Sequence, residues 1–255
     1  MKKNLSRMPR VYTQDPLNGD QPTALKPDQA HYLSRVMRLA IGDQLRCFNG
    51  TDGEWLCAIE QISKRGCLIR AEEKLREPQI LPDIDYLFAP LKTARLDYLA
   101  QKATEMGAGR LRPVLTDYTQ TRRLKHQRLV ANTIEAAEQC NIVAIPEVCE
   151  LQKLDRVLDA WTKGKWVEDK KVPRQLIFCD EAATSASPLE VVSQMAGQPV
   201  AVLIGPEGGF SDRERARLLG LNFVTAISLG PRIMRADTAA VAALTILQAT
   251  IGDWV

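Results

Sequence analysis

From Ile84 onward, short apolar runs alternate with segments of helical length, and this alternation constrains the fold more than any other feature of the chain. Ile84 to Ala89, Leu111 to Leu115, Leu176 to Cys179, Val200 to Ile204 and Val224 to Leu229 predict buried strands. The segments 95–106, 125–139, 211–219 and 238–251 predict helices. Strands that are apolar on both faces and separated by helices imply a parallel sheet covered on both sides, hence an α/β domain. Ser211 followed three residues later by Glu214 reads as a capping box, and Asp237 or Thr238 would cap the last helix. That helix is rich in Ala, Val, Leu and Ile on all sides, which predicts near-complete burial and adds a dimer interface as an option. The charged, aperiodic stretch between Trp161 and Arg174 predicts a surface loop.

The first third of the chain has a different period. Polar and apolar residues alternate through 44–48, 55–62 and 67–71, with turn residues at 49–53 and 63–66, the pattern of an antiparallel meander. Before it, 26–39 predicts a helix with Pro27 early and Leu33, Val36 and Leu39 on one side. A small β-barrel with one helix fits residues 1–76. The segment 77–83, with Pro78 and Pro82, predicts a linker, and 84–255 forms the α/β domain.

Two glycine turns carry the candidate chemistry: Ile204-Gly205-Pro206-Glu207-Gly208-Gly209-Phe210-Ser211 and Leu229-Gly230-Pro231-Arg232-Ile233-Met234-Arg235. Each follows a predicted strand and precedes a helical segment, which places both at the carboxyl ends of neighbouring strands, the edge where α/β sheets bind ligands. Bare glycines would leave main-chain groups free to hold a flat, polar ligand. The spacing is neither G-x-G-x-x-G nor G-x-x-x-x-G-K-[ST], which argues against a Rossmann dehydrogenase or a P-loop hydrolase. For either turn alone, an ordinary strand-to-helix connection is the favoured explanation. The second is harder to explain that way, because Arg232, Arg235 and Asp237 surround an apolar segment.

Bulk properties exclude several classes. The chain of 255 residues has a net charge of only +3, no run long enough to span a bilayer and no apolar signal core near Met1, so a cytoplasmic protein is expected. The six cysteines form no C-x-x-C pair and the two histidines lie far apart, which argues against a metal site and for buried, reduced thiols. No G-x-S-x-G elbow or Cys–His pairing indicates a covalent nucleophile. Residues 91–130 hold nine Lys/Arg against three Asp/Glu, an excess that favours a polyanion there unless it is only a solvated face.

The blocks "IGPEGGFS", "LGPRIMRADTAA", "QKATEMG" and "EAAEQC", together with Met8 to Tyr12 and His31 to Leu39, resemble the ribosomal RNA small-subunit methyltransferase E family, of the SPOUT class. The resemblance spans nearly the whole chain. It implies a PUA-like amino-terminal β-barrel, a SPOUT α/β domain with a parallel sheet and a deep trefoil knot, and a homodimer. It also implies transfer of a methyl group from S-adenosyl-L-methionine to N3 of a uridine in 16S ribosomal RNA, uridine 1498, with free RNA or the assembled small subunit as substrate. Cofactor contacts are then expected from Leu203, Ile204, Gly205, Pro206, Gly208, Leu229, Gly230, Ile233 and Met234. RNA contacts are expected from Arg10, Arg35, Arg38, Lys92, Arg95, Arg122 and Arg123. Two departures stand out: Asn141-Ile142 where "GR" is frequent, and Lys92-Thr93-Ala94-Arg95 in place of "KGDR". The family-like start begins at Met8, which leaves Met1 to Arg7 as a basic tail or a choice of start site.

Methylation of N3 requires loss of the imide proton and stabilisation of the charge that develops on the ring. Arg232 and Arg235 are the best-placed cations, because they leave the second glycine turn itself. Glu207, ranked slightly ahead of Asp237, would accept the proton, directly or through water; a carboxylate that merely binds turn amides is the alternative. Glu135, Glu138 and Gln139 share a helix face that lines the site or is simply exposed. His31 is expected to be structural. Two other readings remain: a SPOUT methyltransferase for a different RNA, and a non-catalytic RNA-binding assembly factor, which the intact glycine blocks disfavour.

Overall fold

The computed structural model describes residues 5, 8–63, 66–164, 173–183 and 187–255. The chain divides into two compact units, residues 1–80 with 134–145, and residues 81–133 with 146–255. The expected division at 77–83 contains one of these boundaries, but the return of 134–145 to the first unit was not anticipated.

In the first unit, β1 (Arg10–Tyr12), β2 (Thr23–Leu25), β3 (Gln44–Phe48), β4 (Glu54–Ser63) and β5 (Gly66–Arg76) form a sheet in the order β1-β3-β4-β5-β2. The meander β3-β4-β5 is antiparallel as the alternation predicts, and β1 joins β3 in parallel. Its inward residues, among them Val11, Leu45, Cys57, Ile59 and Ile69, build the core. The predicted helix 26–39 is shorter than expected: α1 spans Pro27–His31, then Tyr32–Val36 widens into a π-type turn. Met37 donates to the carbonyl of Tyr32, five residues back, and Arg38 takes φ of +56°. Only Leu33 of the predicted apolar side is buried; Val36 is 63% exposed. His31, expected to be structural, is exposed.

The segment 134–145 is bound to this unit by charge as well as packing. Arg10 is buried; its guanidinium donates to the Glu54 carboxylate and to the carbonyl oxygens of Ala137 and Ile142, and lies over the Phe48 ring. The expected RNA contact from Arg10 is therefore corrected, because a guanidinium committed to a buried carboxylate and two carbonyls is not offered to phosphate. Glu138 likewise accepts the backbone N–H of Tyr12 at 2.8 Å and so ties the segment to the first unit, while Glu135 and Gln139 are exposed and bond each other along the helix, the surface alternative of the expectation. Asn141 has φ of +61°, a conformation that Gly and Asn tolerate, and its side-chain oxygen accepts from Arg46 and Arg76.

In the second unit, β6 (Ile84–Phe88), β7 (Arg110–Leu115), β8 (Glu147–Val148), β10 (Gln175–Cys179), β11 (Val200–Ile204) and β12 (Val224–Ile227) form a parallel sheet in the order β12-β10-β11-β6-β7-β8. A short strand, β9 (Gln152–Lys153), also pairs with β7. Every residue of β6 and β11 is buried, which requires cover on both faces. Alternate residues serve two cores. Ile84, Tyr86, Phe88, Val200, Val202 and Ile204 pack with α2 (Thr93–Glu105) and α7 (Ala236–Ile251). Leu87, Ala201 and Leu203 pack with α4 (Leu154–Thr162) and Leu218 of α6 (Asp212–Leu219). The helix α3 (His126–Gln139) and the short α5 (Pro188–Ser193) complete the elements.

Three expectations are corrected here. The last helix is buried along one face only (Ala239, Ala240, Ala243, Leu244, Leu247 and Gln248); Val241, Ala242, Thr245 and Ile246 are half-buried. Its N-cap is Arg235, which makes no side-chain cap bond, and Asp237 lies in the first turn. The predicted surface loop falls largely on residues 165–172, outside the described part; its described residues, 162–164 and Pro173, are exposed, and its flanks Trp161 and Arg174 are buried, with the Trp161 indole donating to the Arg174 carbonyl. The thiols also differ from expectation: Cys47, Cys57 and Cys67 are buried, but Cys140 is exposed. Among the described residues no helix is long and apolar enough to cross a membrane.

Candidate functional site

The sheet order revises the relation between the two glycine turns. They follow β11 and β12, which are not neighbours: β10 pairs with both and separates them. The carboxyl end of β10 therefore belongs to the site, a contribution that no motif in the sequence announces. An open cleft of about 520 Å³ lies there, with residues 228–233 on one wall and Glu181, Ala183, Ser187 and Pro188 on the other.

The second turn is shaped by its backbone more than by packing. Gly230 has φ of +116°, and a Cβ placed on it would meet nothing within 4 Å, so the residue opens space. The Ser228 hydroxyl and the Gly230 main chain bond to each other at 3.3 Å, which shapes the turn. Leu229 and Met234 are half-buried against the core, while Ile233 is 87% exposed at the cleft wall. Arg232 lines the cleft and Arg235 is exposed at the start of α7; neither makes an ion pair among the described residues. The Asp237 carboxylate accepts the backbone N–H of Thr238 at 2.9 Å rather than pairing with Arg235. An exposed guanidinium stays solvated, so Arg235 needs no anionic partner in the resting protein.

The first turn is explained more fully by local packing. A Cβ on Gly205 would lie 2.6 Å from the Phe210 ring, and Gly209, at φ of +69°, closes a turn onto the Pro206 carbonyl. Leu203 and Ile204 are 0% and 4% exposed and pair with the neighbouring strands, and Pro206 is also buried, so the cofactor contacts expected from Leu203 and Ile204 are corrected: their side chains fill the core and their main chains belong to the sheet. Glu207 meets Arg95 of α2 at 3.3 Å, and not Arg232 or Arg235. Ser211 caps α6 in the predicted box with Glu214. The Ser211 hydroxyl also donates to Asp117 in the loop after β7, and with Arg213 it holds the Asp117 carboxyl below the usual carboxylate range.

The basic stretch 91–130 is largely consumed internally. Arg110 and Arg112 pair with the buried Asp85, Arg128 with Asp97, and Lys102 with Glu105. Lys92, Arg122, Arg123 and Lys125 remain exposed, without an ion pair among the described residues, on the loops that follow β6 and β7. Arg35 and Arg38 are exposed at the π-type turn of the first unit. Burial pushes the Cys179 thiol, at the end of β10, up to about 12, so it offers no thiolate near neutral pH.

Residues 78–248 match the family described as an RNA methyltransferase domain, and residues 25–72 match an RNA methyltransferase PUA domain. The ribosomal RNA small subunit methyltransferase E of Rickettsia conorii is 30% identical over 92% of this chain and 93% of its own length. A methyltransferase from Legionella pneumophila, solved with SAM bound, superposes with a TM-score of 0.81 at 30% identity, covering 97% of this chain and 99% of that one. The small subunit methyltransferase E of Neisseria gonorrhoeae, at 22% identity, shares the fold with a TM-score of 0.78 over 97% of this chain and the whole of its own. With a PUA domain, a parallel α/β domain of SPOUT type and a relative of this similarity matched along nearly its whole length, the chain belongs to the ribosomal RNA small subunit methyltransferase E family.

Proposed function

We propose that the protein transfers a methyl group from S-adenosyl-L-methionine to N3 of a uridine in 16S ribosomal RNA, uridine 1498 by the family resemblance, during maturation of the small subunit. The observation that carries this reading is the cleft beside Gly230, with unpaired Arg232 and Arg235 next to it. Apolar Pro188, Leu229 and Ile233 together with polar Glu181, Ser187 and Ser228 suit a ligand that is flat at one end and charged at the other. Gly205, Pro206 and Gly208 would complete its support from the first turn, with Met234 behind the second. Bound there, S-adenosyl-L-methionine supplies an electrophilic methyl group.

The chain's own residues must do the rest. Uridine N3 faces its partner in a duplex, so the site takes an unpaired or extruded base. Arg235, with Arg232 beside it, stabilises the negative charge that spreads over the ring oxygens when the imide proton leaves. Glu207 or Asp237 accepts that proton, directly or through water. Asp237 gains weight from the structure, because it lies in the same turn of chain as Arg235, whereas Glu207 is engaged by Arg95. With the Cys179 thiol protonated, direct transfer needs no covalent intermediate on this cysteine.

A homodimer would cover the half-buried apolar stripe of α7, and the non-sequential strand order is in keeping with a deep trefoil knot. A cytoplasmic site of action follows from the substrate proposed. Mass spectrometry of small-subunit RNA from a strain lacking the gene should show loss of a single N3-methyluridine, restored by the parent protein. Loss of a different modification would assign another RNA position, and an unchanged RNA would remove the enzymatic reading.

RNA phosphate is assigned to Lys92, Arg95, Arg122 and Arg123 on the second unit and to Arg35 and Arg38 on the first. Alanine at Arg122, Arg123 or Lys92 is expected to weaken RNA binding and reduce its salt dependence by about 0.7 log units per log salt for each single-strand phosphate left without its cation. Cofactor affinity should stay constant. Salt slopes equal to the parent's would return these residues to the solvated surface.

A further inference from the structure

Beside the first glycine turn stands an aromatic ring that the mechanism above does not use. Tyr118 is 52% exposed, yet the chain that carries it is held from both sides. Its neighbours Thr116 and Thr119 are buried and close a tight turn: the Thr119 hydroxyl accepts the Thr116 N–H at 2.8 Å, and the Thr119 N–H returns to the Thr116 carbonyl at 3.2 Å. The Asp117 N–H donates to the buried Glu214 carboxylate at 2.8 Å, and the Asp117 carboxylate takes Ser211 and Arg213 from the first turn and its helix. Gly208 has no side chain to cover the ring's inner edge; a Cβ there would sit 3.4 Å from the Tyr118 Cβ. Tyr118 is thus an ordered aromatic at the ligand-binding edge of the sheet, with its outer side open to solvent.

We propose that Tyr118 is a stacking platform for an unpaired base of the RNA substrate; the proposal rests on the reading of the protein as a methyltransferase that acts on an extruded base. A base drawn out of a helix loses its stacking partners, and an aromatic ring restores them without regard to base identity. A tyrosine does this at low entropic cost because only two side-chain torsions must be fixed, and here the main chain is already fixed. The surrounding charge has the right sign, since Lys92, Arg122 and Arg123 are exposed on this loop and the adjacent one. An acidic protein segment would meet the same cations but make no use of the exposed ring, whereas a nucleotide finds a π face and nearby cations together.

The experiment compares the parent with Tyr118→Ala, Tyr118→Phe and Tyr118→Leu in two assays. In fluorescence anisotropy the probes are an oligouridine and an abasic ribose-phosphate oligomer of equal length. Alanine and leucine should weaken oligouridine binding about tenfold, phenylalanine should not, and the abasic oligomer should be bound alike by all four. In methyl transfer to small-subunit RNA, the same pair should lose activity with calorimetric affinity for S-adenosyl-L-methionine unchanged. Should the alanine variant fail to fold, leucine carries the comparison, since it keeps bulk and lacks a π face. Equal oligouridine affinity in parent and leucine variants, an equal loss on the abasic oligomer, or a loss in the phenylalanine variant would each overturn the platform. A parent that binds oligouridine through Tyr118 but transfers no methyl group would support the platform while removing the enzymatic reading.

Discussion

Arg235→Ala is expected to slow methyl transfer at least about a hundredfold, on the order of 3 kcal/mol, with RNA and cofactor affinity changed far less. The reason is the position of the charge. Arg235 stands at the N-cap of α7, makes no capping bond through its side chain, and is exposed. Removal of the guanidinium should therefore cost the fold little. What it removes is a cation with no ion pair among the described residues, two positions along the chain from Ile233 of the cleft and at the positive end of a 16-residue helix. Negative charge spreads over the uridine oxygens only as the proton leaves, so a cation aimed at them lowers the barrier more than it strengthens binding. Single-turnover rates, with a thermal melt to confirm folding, decide the matter. Turnover within a few-fold of the parent would transfer the role to Arg232, which lines the cleft.

Gly230→Val is expected to weaken S-adenosyl-L-methionine binding tenfold to a hundredfold, on the order of 1–3 kcal/mol, by a route different from steric overlap. A Cβ at this position meets no atom within 4 Å, so there is no clash to relieve. The φ of +116° is the difficulty, because a β-branched residue avoids that region and the turn must reorganise to accommodate it. The wall formed by 228–233 would move with it. The strand before the turn ends at Ile227 and the helix after it begins at Ala236, so the core should persist. Gly205→Val makes an instructive contrast: there the Phe210 ring occupies the space, and loss of stability should accompany loss of binding. Calorimetric titration of the Gly230→Val protein tests the placement directly. An unchanged affinity would put the cofactor elsewhere on the sheet edge.

Much of the second unit was legible because its signals are local. The runs at Ile84 and Val200 are apolar for as long as a buried strand lasts, and Ser211 with Glu214 declares a helix start through bonds that span only three residues. The run at Val224 gives only an edge strand, Val224–Ile227, with Ile227 alone buried, because among the described residues no strand pairs beyond it as on the inner strands. The helix predicted through Leu39 failed for a reason equally local in scale but invisible to periodicity. A π-type turn at Tyr32–Val36 rotates the following residues, which turns Val36 outward and leaves Leu33 inside. The site was legible as two turns but not as a place. A strand order of β12-β10-β11 joins residues tens of positions apart, and nothing in "FCDEAA" advertises that Glu181 will face residue 230.

The charges show the same division most clearly. The sequence by itself determined the family, the α/β alternation, the meander of the first unit and the two glycine turns, since each depends on residue types at short, fixed separations. Only the tertiary structure decided which charges are available to a partner. Arg10 and Arg112 look no different in the sequence from Arg122 and Arg123. Arg10 and Arg112 are paired with Glu54 and Asp85, carboxylates 44 and 27 residues away, while Arg122 and Arg123 remain exposed. A carboxylate buried among apolar residues is costly unless it is paired, so the fold claims the arginines nearest to it and leaves the rest exposed. Which arginines those are depends on chain segments brought together by folding, and that information is present in no short stretch of sequence.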